Sequence, residues 1–146
     1  PDGISKNQEC VEGWLPCPDP GKGVKKLSYY TFKLLIEKLK GSNFDNIQII
    51  KDGKVDNLYV YKFTKQGKSI WVAWWDYWEE QGVKEKQITL DVGNISSVKI
   101  TEAIPKYATG KEVTDYNTAF NSETKEVVNG KVSFTLSKSP VFVEAK

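Results

Sequence analysis

A dense aromatic cluster beside carboxylates is the feature of this sequence best suited to chemistry. Its members follow one another closely along the chain: Trp71, Trp74, Trp75, Asp76, Tyr77, Trp78, Glu79 and Glu80. Flat aromatic rings stack on the apolar C–H faces of pyranose rings, and nearby carboxylates hydrogen-bond the sugar hydroxyls. The cluster therefore indicates a candidate carbohydrate-binding surface. The alternative is that the tryptophans fill the core of the fold or a seam with a neighbouring domain.

Catalytic chemistry is not expected in this chain. Glu79 and Glu80 point opposite ways on an extended chain, whereas glycosidase carboxylates flank one bond at about 5–10 Å. The sequence has no His, which excludes Ser-His-Asp and Cys-His centres and imidazole metal ligands. We therefore expect no catalytic residue, no metal site and no cofactor. Structural calcium between loops stays open, although turn formation explains Asp52, Asp56 and Asn57 better.

The charge and composition exclude two classes of partner. The 146 residues carry a net charge of only +2, and the 21 basic residues are all lysines. Without Arg there is no bidentate fork for phosphate or guanine, so we expect no nucleic-acid partner. No apolar run reaches the roughly 18–20 residues that cross a bilayer, so we expect no membrane partner.

Two cysteines lie in a leader that is rich in Pro and Gly. The spacing of Cys10 and Cys17 suits a local disulfide, which would favour an extracellular, secreted protein. The alternative is a pair of free thiols in an intracellular protein. Because the chain begins at Pro1 and contains no Met, we expect a processed product or a piece of something longer.

A single helix is predicted from Val24 to Lys40, with Gly41 as its C-terminal stop. The helix has two apolar stripes, and such a helix is normally packed between two bodies. We expect the broad stripe to pack on the rest of the fold and the narrow one to be left uncovered. The broad stripe holds Tyr29, Phe32, Leu35, Ile36 and Leu39, and the narrow one holds Leu27, Tyr30 and Leu34.

After Gly41 the apolar period changes from 3.6 to 2, which predicts strands. Asp52-Gly53 and Asn129-Gly130 predict two-residue hairpins, and Gln66-Gly67-Lys68 predicts a longer one. Short strands at this spacing, without helices between them, predict an all-β fold: an antiparallel β-sandwich of about eight strands with one N-terminal α-helix. The candidate strands are Ile47–Lys51, Leu58–Thr64, Ser69–Trp75, Gln87–Val92, Val98–Ile104, Lys125–Val128, Lys131–Leu136 and Val141–Ala145.

Several short motifs follow one another in order from residue 25 to the end. The helix reads KKLSYYTFKLL from Lys25, the next strands read LYVYKF from Leu58 and GKSIWVAW from Gly67, and the ending reads VSFTL and SPVFVE. This series resembles the last barrel helix and the ancillary sandwich of clan A glycoside hydrolases, closest to β-xylosidase-like and related endoglycanase families.

The resemblance implies that the catalytic glutamates lie on barrel strands upstream of Pro1, so the chain would not be an enzyme by itself. Residues 1–24 would be the remnant of a barrel loop, 25–41 a helix packed on the sandwich, and 42–146 the accessory β-sandwich domain. The implied partners are the catalytic barrel of the parent enzyme and a plant or microbial polysaccharide. The alternative is an adhesion or scaffold β-sandwich that mediates protein-protein contact.

Overall fold

The computed structural model describes residues 23–80 and 82–146, which form one helix, eight strands and three short 3₁₀ turns. The predicted disulfide between Cys10 and Cys17 lies outside the described residues. No helix within the described part is long and apolar enough to cross a membrane. In chain order the elements are α1 Leu27–Leu39, β1 Gln48–Asp52, β2 Leu58–Lys65, β3 Lys68–Trp75, β4 Lys86–Asp91, β5 Ser97–Glu102, β6 Ser122–Glu126, β7 Lys131–Leu136 and β8 Val141–Ala145.

The strands form two antiparallel sheets, so the predicted all-β fold with one helix is confirmed. The large sheet has six strands in the order β1-β2-β3-β8-β5-β6, and the small sheet pairs β4 with β7. Every pairing is antiparallel. Seven of the predicted strands coincide with observed ones within about two residues. The sixth begins at Ser122 rather than Lys125, because this polar edge strand has no apolar alternation to mark it.

The main core lies between the two sheets. One face of the large sheet contributes Leu58, Val60 and Ala73, and the small sheet contributes Ile88 and Phe134. We call the opposite side of the large sheet its outer face. On β2 the alternation predicted from the sequence is confirmed, since Leu58 and Val60 are buried inside while Tyr59 and Tyr61 are half-buried on the outer face.

The helix packs on the outer face through its narrow stripe, so the predicted assignment of the two stripes is wrong. Tyr30 and Leu34 are buried, and Leu34 contacts a second small core with Ile70 and Phe142. Phe32, Leu35 and Ile36 of the broad stripe are exposed, whereas Leu39 at its end packs on that core. The contacts of Leu34 and Leu39 with the core of Ile70 and Phe142, rather than the width of a stripe, set which side of the helix is buried.

Two turns differ in length from their predictions. Lys65 pairs with Lys68, so Gln66 and Gly67, both at positive φ, form a two-residue hairpin rather than a longer one. Strand β1 ends at Asp52 and β2 begins at Leu58, so the predicted two-residue turn at Asp52-Gly53 is in fact a longer loop. Asn129 and Gly130 form the predicted two-residue turn, between the bridged residues Val128 and Lys131.

Candidate functional site

The structure divides the aromatic cluster of the sequence among three environments. Trp71 and Trp75 lie in the main core, only 3% and 4% exposed. The indole N–H of Trp75 donates a hydrogen bond to the carbonyl of Ser137 at 2.8 Å, which satisfies its one polar atom. Their burial assigns both rings to packing, because a sugar could not reach their faces.

Trp74 lies on the outer face and forms an aromatic stack with Tyr59 and Tyr61. The ring centroids are 5.1 Å from Tyr59 and 5.2 Å from Tyr61, with interplanar angles of 5° and 13°. All three side chains are half-buried. Gly53, in the loop after β1, lies against the ring of Tyr59, since a Cβ there would come within 2.2 Å of Tyr59 Cζ. The stack is therefore a partly exposed aromatic surface that is held in place by its neighbours.

Tyr77 and Trp78 form what we call the end platform, just beyond the last residue of β3. Their rings stack with centroids 5.1 Å apart, and Tyr77 contacts the ring of core residue Trp75 edge-on at 6.0 Å. Lys138 Nζ lies 5.0 Å from the centroid of the Tyr77 ring. Trp78 is 73% exposed, more than any other tryptophan in the described part of the chain. The end platform thus exposes a large aromatic ring to solvent, and its other ring, Tyr77, contacts the core residue Trp75.

Polar contacts fix the loop that carries the end platform. The carboxylate of Asp76 accepts a hydrogen bond from the backbone N–H of Trp78 at 3.1 Å. Glu80 accepts a hydrogen bond from Asn57 at 3.1 Å and forms an ion pair with Lys86. The hydrogen bond from Lys86 is the main cause that lowers the pKa of Glu80, and the one from Asn57 lowers it further. The loop therefore holds an ionised carboxylate at its base.

The remaining carboxylates near the site are exposed or paired with lysines. Glu79 is exposed, and Asp52 pairs with Lys54 at 2.6 Å. Asp56 pairs with Lys51 at 2.5 Å, and this contact lowers the pKa of Asp56. Among the described residues, no group of three His, Cys, Asp or Glu side chains lies close enough to hold a metal ion.

Sequence reasoning missed Tyr59 and Tyr61 as neighbours of Trp74. The two-residue hairpin at Gln66-Gly67 sets the register of β2 and β3, and that register places Tyr59 directly opposite Trp74. Two-residue loops are the commonest hairpin connections, so the signal was present in the sequence. The longer turn that we predicted at Gln66-Gly67-Lys68 specified no register for the two strands, so the pairing of Tyr59 with Trp74 did not follow from it.

A second exposed surface lies on the broad stripe of α1. Phe32, Leu35 and Ile36, which we call the open face of α1, line an apolar groove together with Phe44 from the turn that follows the helix. Phe32 is 54% exposed and Phe44 is 58% exposed. Ile49, also exposed, pairs with Tyr61 across the edge of the large sheet and therefore shares its outer face. Apolar side chains are thus exposed on α1, on the turn that follows it and at the β1 edge of the outer face.

Solved structures that resemble part of this chain include an endoxylanase and a glucuronidase. No protein-family model and no curated protein sequence matches this chain. A GH30 endoxylanase from Clostridium papyrosolvens C71 is 18% identical with a TM-score of 0.46, over 68% of this chain and 23% of its own. A 4-O-α-L-rhamnosyl-β-D-glucuronidase from Fusarium oxysporum 12S is 16% identical with a TM-score of 0.47, over 74% of this chain and 27% of its own. The chain spans about a quarter of the length of each.

Proposed function

We propose that this chain is a non-catalytic accessory β-sandwich domain of a secreted glycoside hydrolase, packed against the catalytic barrel of that enzyme. The observation that carries the proposal is the two-sided helix. Tyr30 and Leu34 are buried, and Leu34 packs on the sandwich, while the open face of α1 is apolar and exposed. A helix between two domains needs this pattern, because each side must find an apolar partner.

The energetics favour a second body on the open face. Fully burying a large apolar side chain contributes about 1.5–3 kcal/mol, so Phe32, Ile36 and Phe44 together represent several kcal/mol of burial still to be gained. Contiguous apolar patches of this kind mark interaction sites. The helix motif that resembles the last barrel helix of clan A glycoside hydrolases supports the barrel as that body, since such a helix lies between barrel and sandwich.

Binding of polysaccharide is the second part of the proposed function. The end platform offers an exposed indole for stacking on a pyranose ring, with the carboxylates of Asp76 and Glu79 in the same loop for its hydroxyls. The stack of Trp74 with its two tyrosines is the second candidate surface, although a barrel packed on the outer face would cover part of it. The proposed role is to hold the substrate near a catalytic site that lies on the barrel.

The experiment that tests the proposed function uses the catalytic barrel encoded upstream of this chain. The barrel is expressed as a separate polypeptide, and its association with this chain is measured by isothermal titration calorimetry. We expect saturable binding that the double variant Phe32→Ser, Ile36→Ser weakens at least about tenfold. The matched control is Thr64→Ala, Lys68→Ala, at exposed positions of β2 and β3. A coding sequence without a barrel, or binding that the double variant leaves unchanged, contradicts the proposal.

A further inference from the structure

The small sheet has two open edges, because β4 and β7 pair only with each other among the described strands. Val92 donates its backbone N–H to the carbonyl of Gly130 at 2.8 Å, which identifies these two residues as a hydrogen-bonded pair. The backbone groups of Gln87, Thr89 and Asp91 therefore point away from β7, since they alternate with the hydrogen-bonded positions. Within residues 23–80 and 82–146, no other strand pairs with these groups, so β4 has a row of free N–H and C=O groups.

A groove of about 430 Å³ lies along the open edge of β4, between that strand and β1. Ile50 and Lys51 line it on the β1 side, and Thr89 and Asp91 line it on the β4 side. Ile50 is 49% exposed, and the charge of Lys51 is paired with that of Asp56. The groove therefore combines free backbone groups with an exposed apolar side chain, and we call it the edge slot.

The open edge of β7 differs from that of β4, because carboxylates lie beside it. The groove next to β7 measures about 220 Å³, and Glu102 and Glu123 line it. Glu102 lies opposite Val141 and Glu123 lies opposite Ile100, so both carboxylates face the inner side of the large sheet. Inward-pointing charges of this kind protect a sheet edge against pairing with a further strand. A further strand is therefore expected at β4 rather than at β7.

The size of the edge slot indicates that its occupant belongs to a larger body. Strand β4 has 6 residues, and a matching strand of that length buries well below the roughly 800 Å² per partner of a stable interface. A free peptide would therefore bind weakly. A strand that is tethered to a body already in contact with the chain binds at a high effective concentration. The area thus favours a segment of the same polypeptide over a separate peptide.

We propose that an extended segment of the parent enzyme adds to the small sheet as a third strand beside β4. Its backbone hydrogen-bonds the free groups of Gln87, Thr89 and Asp91, and an apolar side chain of the added strand packs on Ile50. This inference deepens the proposed function, and it rests on that function for the source of the strand. The edge slot and the open face of α1 share no residue, so the two proposals can fail separately.

The test compares amide hydrogen exchange in the isolated chain and in the full polypeptide encoded around it, by mass spectrometry with electron-transfer fragmentation. We expect the amides of Gln87, Thr89 and Asp91 to exchange at least about tenfold more slowly in the full polypeptide. Ile88 and Leu90 donate to β7 and should be protected in both samples. Equal exchange at the three edge amides overturns the proposal, even if the open face of α1 is covered. Protection in the isolated chain that grows with its concentration also overturns it, because a second copy would then fill the edge slot.

Two proline variants make the test specific. Thr89→Pro removes an N–H that β7 does not use, and edge strands tolerate proline at such positions. Thr135→Pro is the matched control, because its N–H points out of the open edge of β7 and each variant loses one side-chain hydrogen bond between the strands. We expect Thr89→Pro to lower the melting temperature of the full polypeptide by about several degrees more than that of the isolated chain. Thr135→Pro should lower both by the same amount. An equal shift of Thr89→Pro in the two samples contradicts the proposal.

Discussion

The contact between Gly53 and Tyr59 shows how single residues hold the aromatic stack. Gly53 has a φ of +79°, and its Cα lies against a ring that also stacks on Trp74. We expect Gly53→Ala to destabilise the fold by about 2–4 kcal/mol, because a positive φ costs an L-residue about 1–2 kcal/mol and the new Cβ must displace the Tyr59 ring. Chemical denaturation measures the change in the free energy of unfolding.

Gly67→Ala is the matched control for that substitution. Gly67 has a φ of +76°, but a Cβ there would meet no atom within 4 Å. The Gly67→Ala variant should therefore lose only the backbone cost of about 1–2 kcal/mol from its free energy of unfolding. Equal losses of stability in the two variants would mean that Gly53 does not support the aromatic stack.

Substitution by Ala should lower mainly the stability of the fold at Trp75 and mainly the binding of polysaccharide at Trp78. Trp75→Ala should cost about 3–5 kcal/mol of stability, because it opens a cavity in the main core and frees the carbonyl of Ser137. Trp78→Ala should cost less than about 1 kcal/mol, since its ring is mostly in solvent, but it should lower retention of the chain on insoluble polysaccharide. Denaturation and a pull-down on xylan or cellulose measure the two effects, and unchanged retention would exclude the end platform as a sugar site.

Tyr116 should make the fold sensitive to alkaline pH. Burial, together with its hydrogen bond to Glu37, raises the pKa of the Tyr116 phenol above its usual value. The folded state therefore holds this proton more tightly, so its contribution to stability is complete below a pH of about 10 and is lost as the pH rises further. As the pH rises from about 8 to about 11, the free energy of unfolding should fall less for Tyr116→Phe than for the parent chain.

The control for that pH dependence is Tyr107→Phe, which removes a phenol that lies outside the contact with Glu37. Its loss of stability over the same pH range should match that of the parent chain. If Tyr116→Phe also matches the parent, Tyr116 does not carry the alkaline effect.

The sequence alone could assign the tryptophans of β3 to its two faces, but it could not show which of them are exposed. Alternation placed Trp71 and Trp75 on one side of β3 and Trp74 on the other, which the structure confirms. Because β3 is apolar on both faces, the pattern could not show which face is the core. Only the small sheet, which covers Trp71 and Trp75, decides that.

At the scale of elements, the side of the helix that is buried depends on the surface against which the helix packs. Its two stripes were evident from the sequence, but the choice between them depends on the surface beneath. Leu34 lies over Ile70 and Phe142 of the outer face, while the C-terminal carbonyls of Glu37 and Lys38 accept hydrogen bonds from Lys65 of β2 at 2.8 and 3.0 Å. These contacts fix the rotation of α1 about its axis, and no pattern within the helix encodes them.

Adjacent leucines of α1 provide a direct check of this rotation. Leu34→Ala should cost about 2–4 kcal/mol of unfolding free energy, because Leu34 is buried in the second core. Leu35→Ala should cost less than about 1 kcal/mol, because Leu35 belongs to the open face. Chemical denaturation of both variants tests the assignment, and a larger loss for Leu35→Ala would mean that the helix is rotated.

At the scale of the whole molecule, the two sheets differ in size, and this difference leaves part of the larger sheet available for contact with a partner. Two strands cover the inner face of a six-stranded sheet, and one helix covers part of its outer face. The number of strands and their antiparallel pairing were predictable from alternation and turn residues. The order of the strands was not, because β8 enters between β3 and β5 through contacts that are distant in sequence.

The central claim is that the open face of α1 is covered by a catalytic barrel. Hydroxyl-radical footprinting with mass spectrometry measures this directly, by comparing the isolated chain with the polypeptide that joins it to the barrel. We predict that oxidation of Phe32, Ile36 and Phe44 falls several-fold in the joined polypeptide, while Trp78 stays reactive. Equal oxidation of those three side chains in both samples would contradict the account.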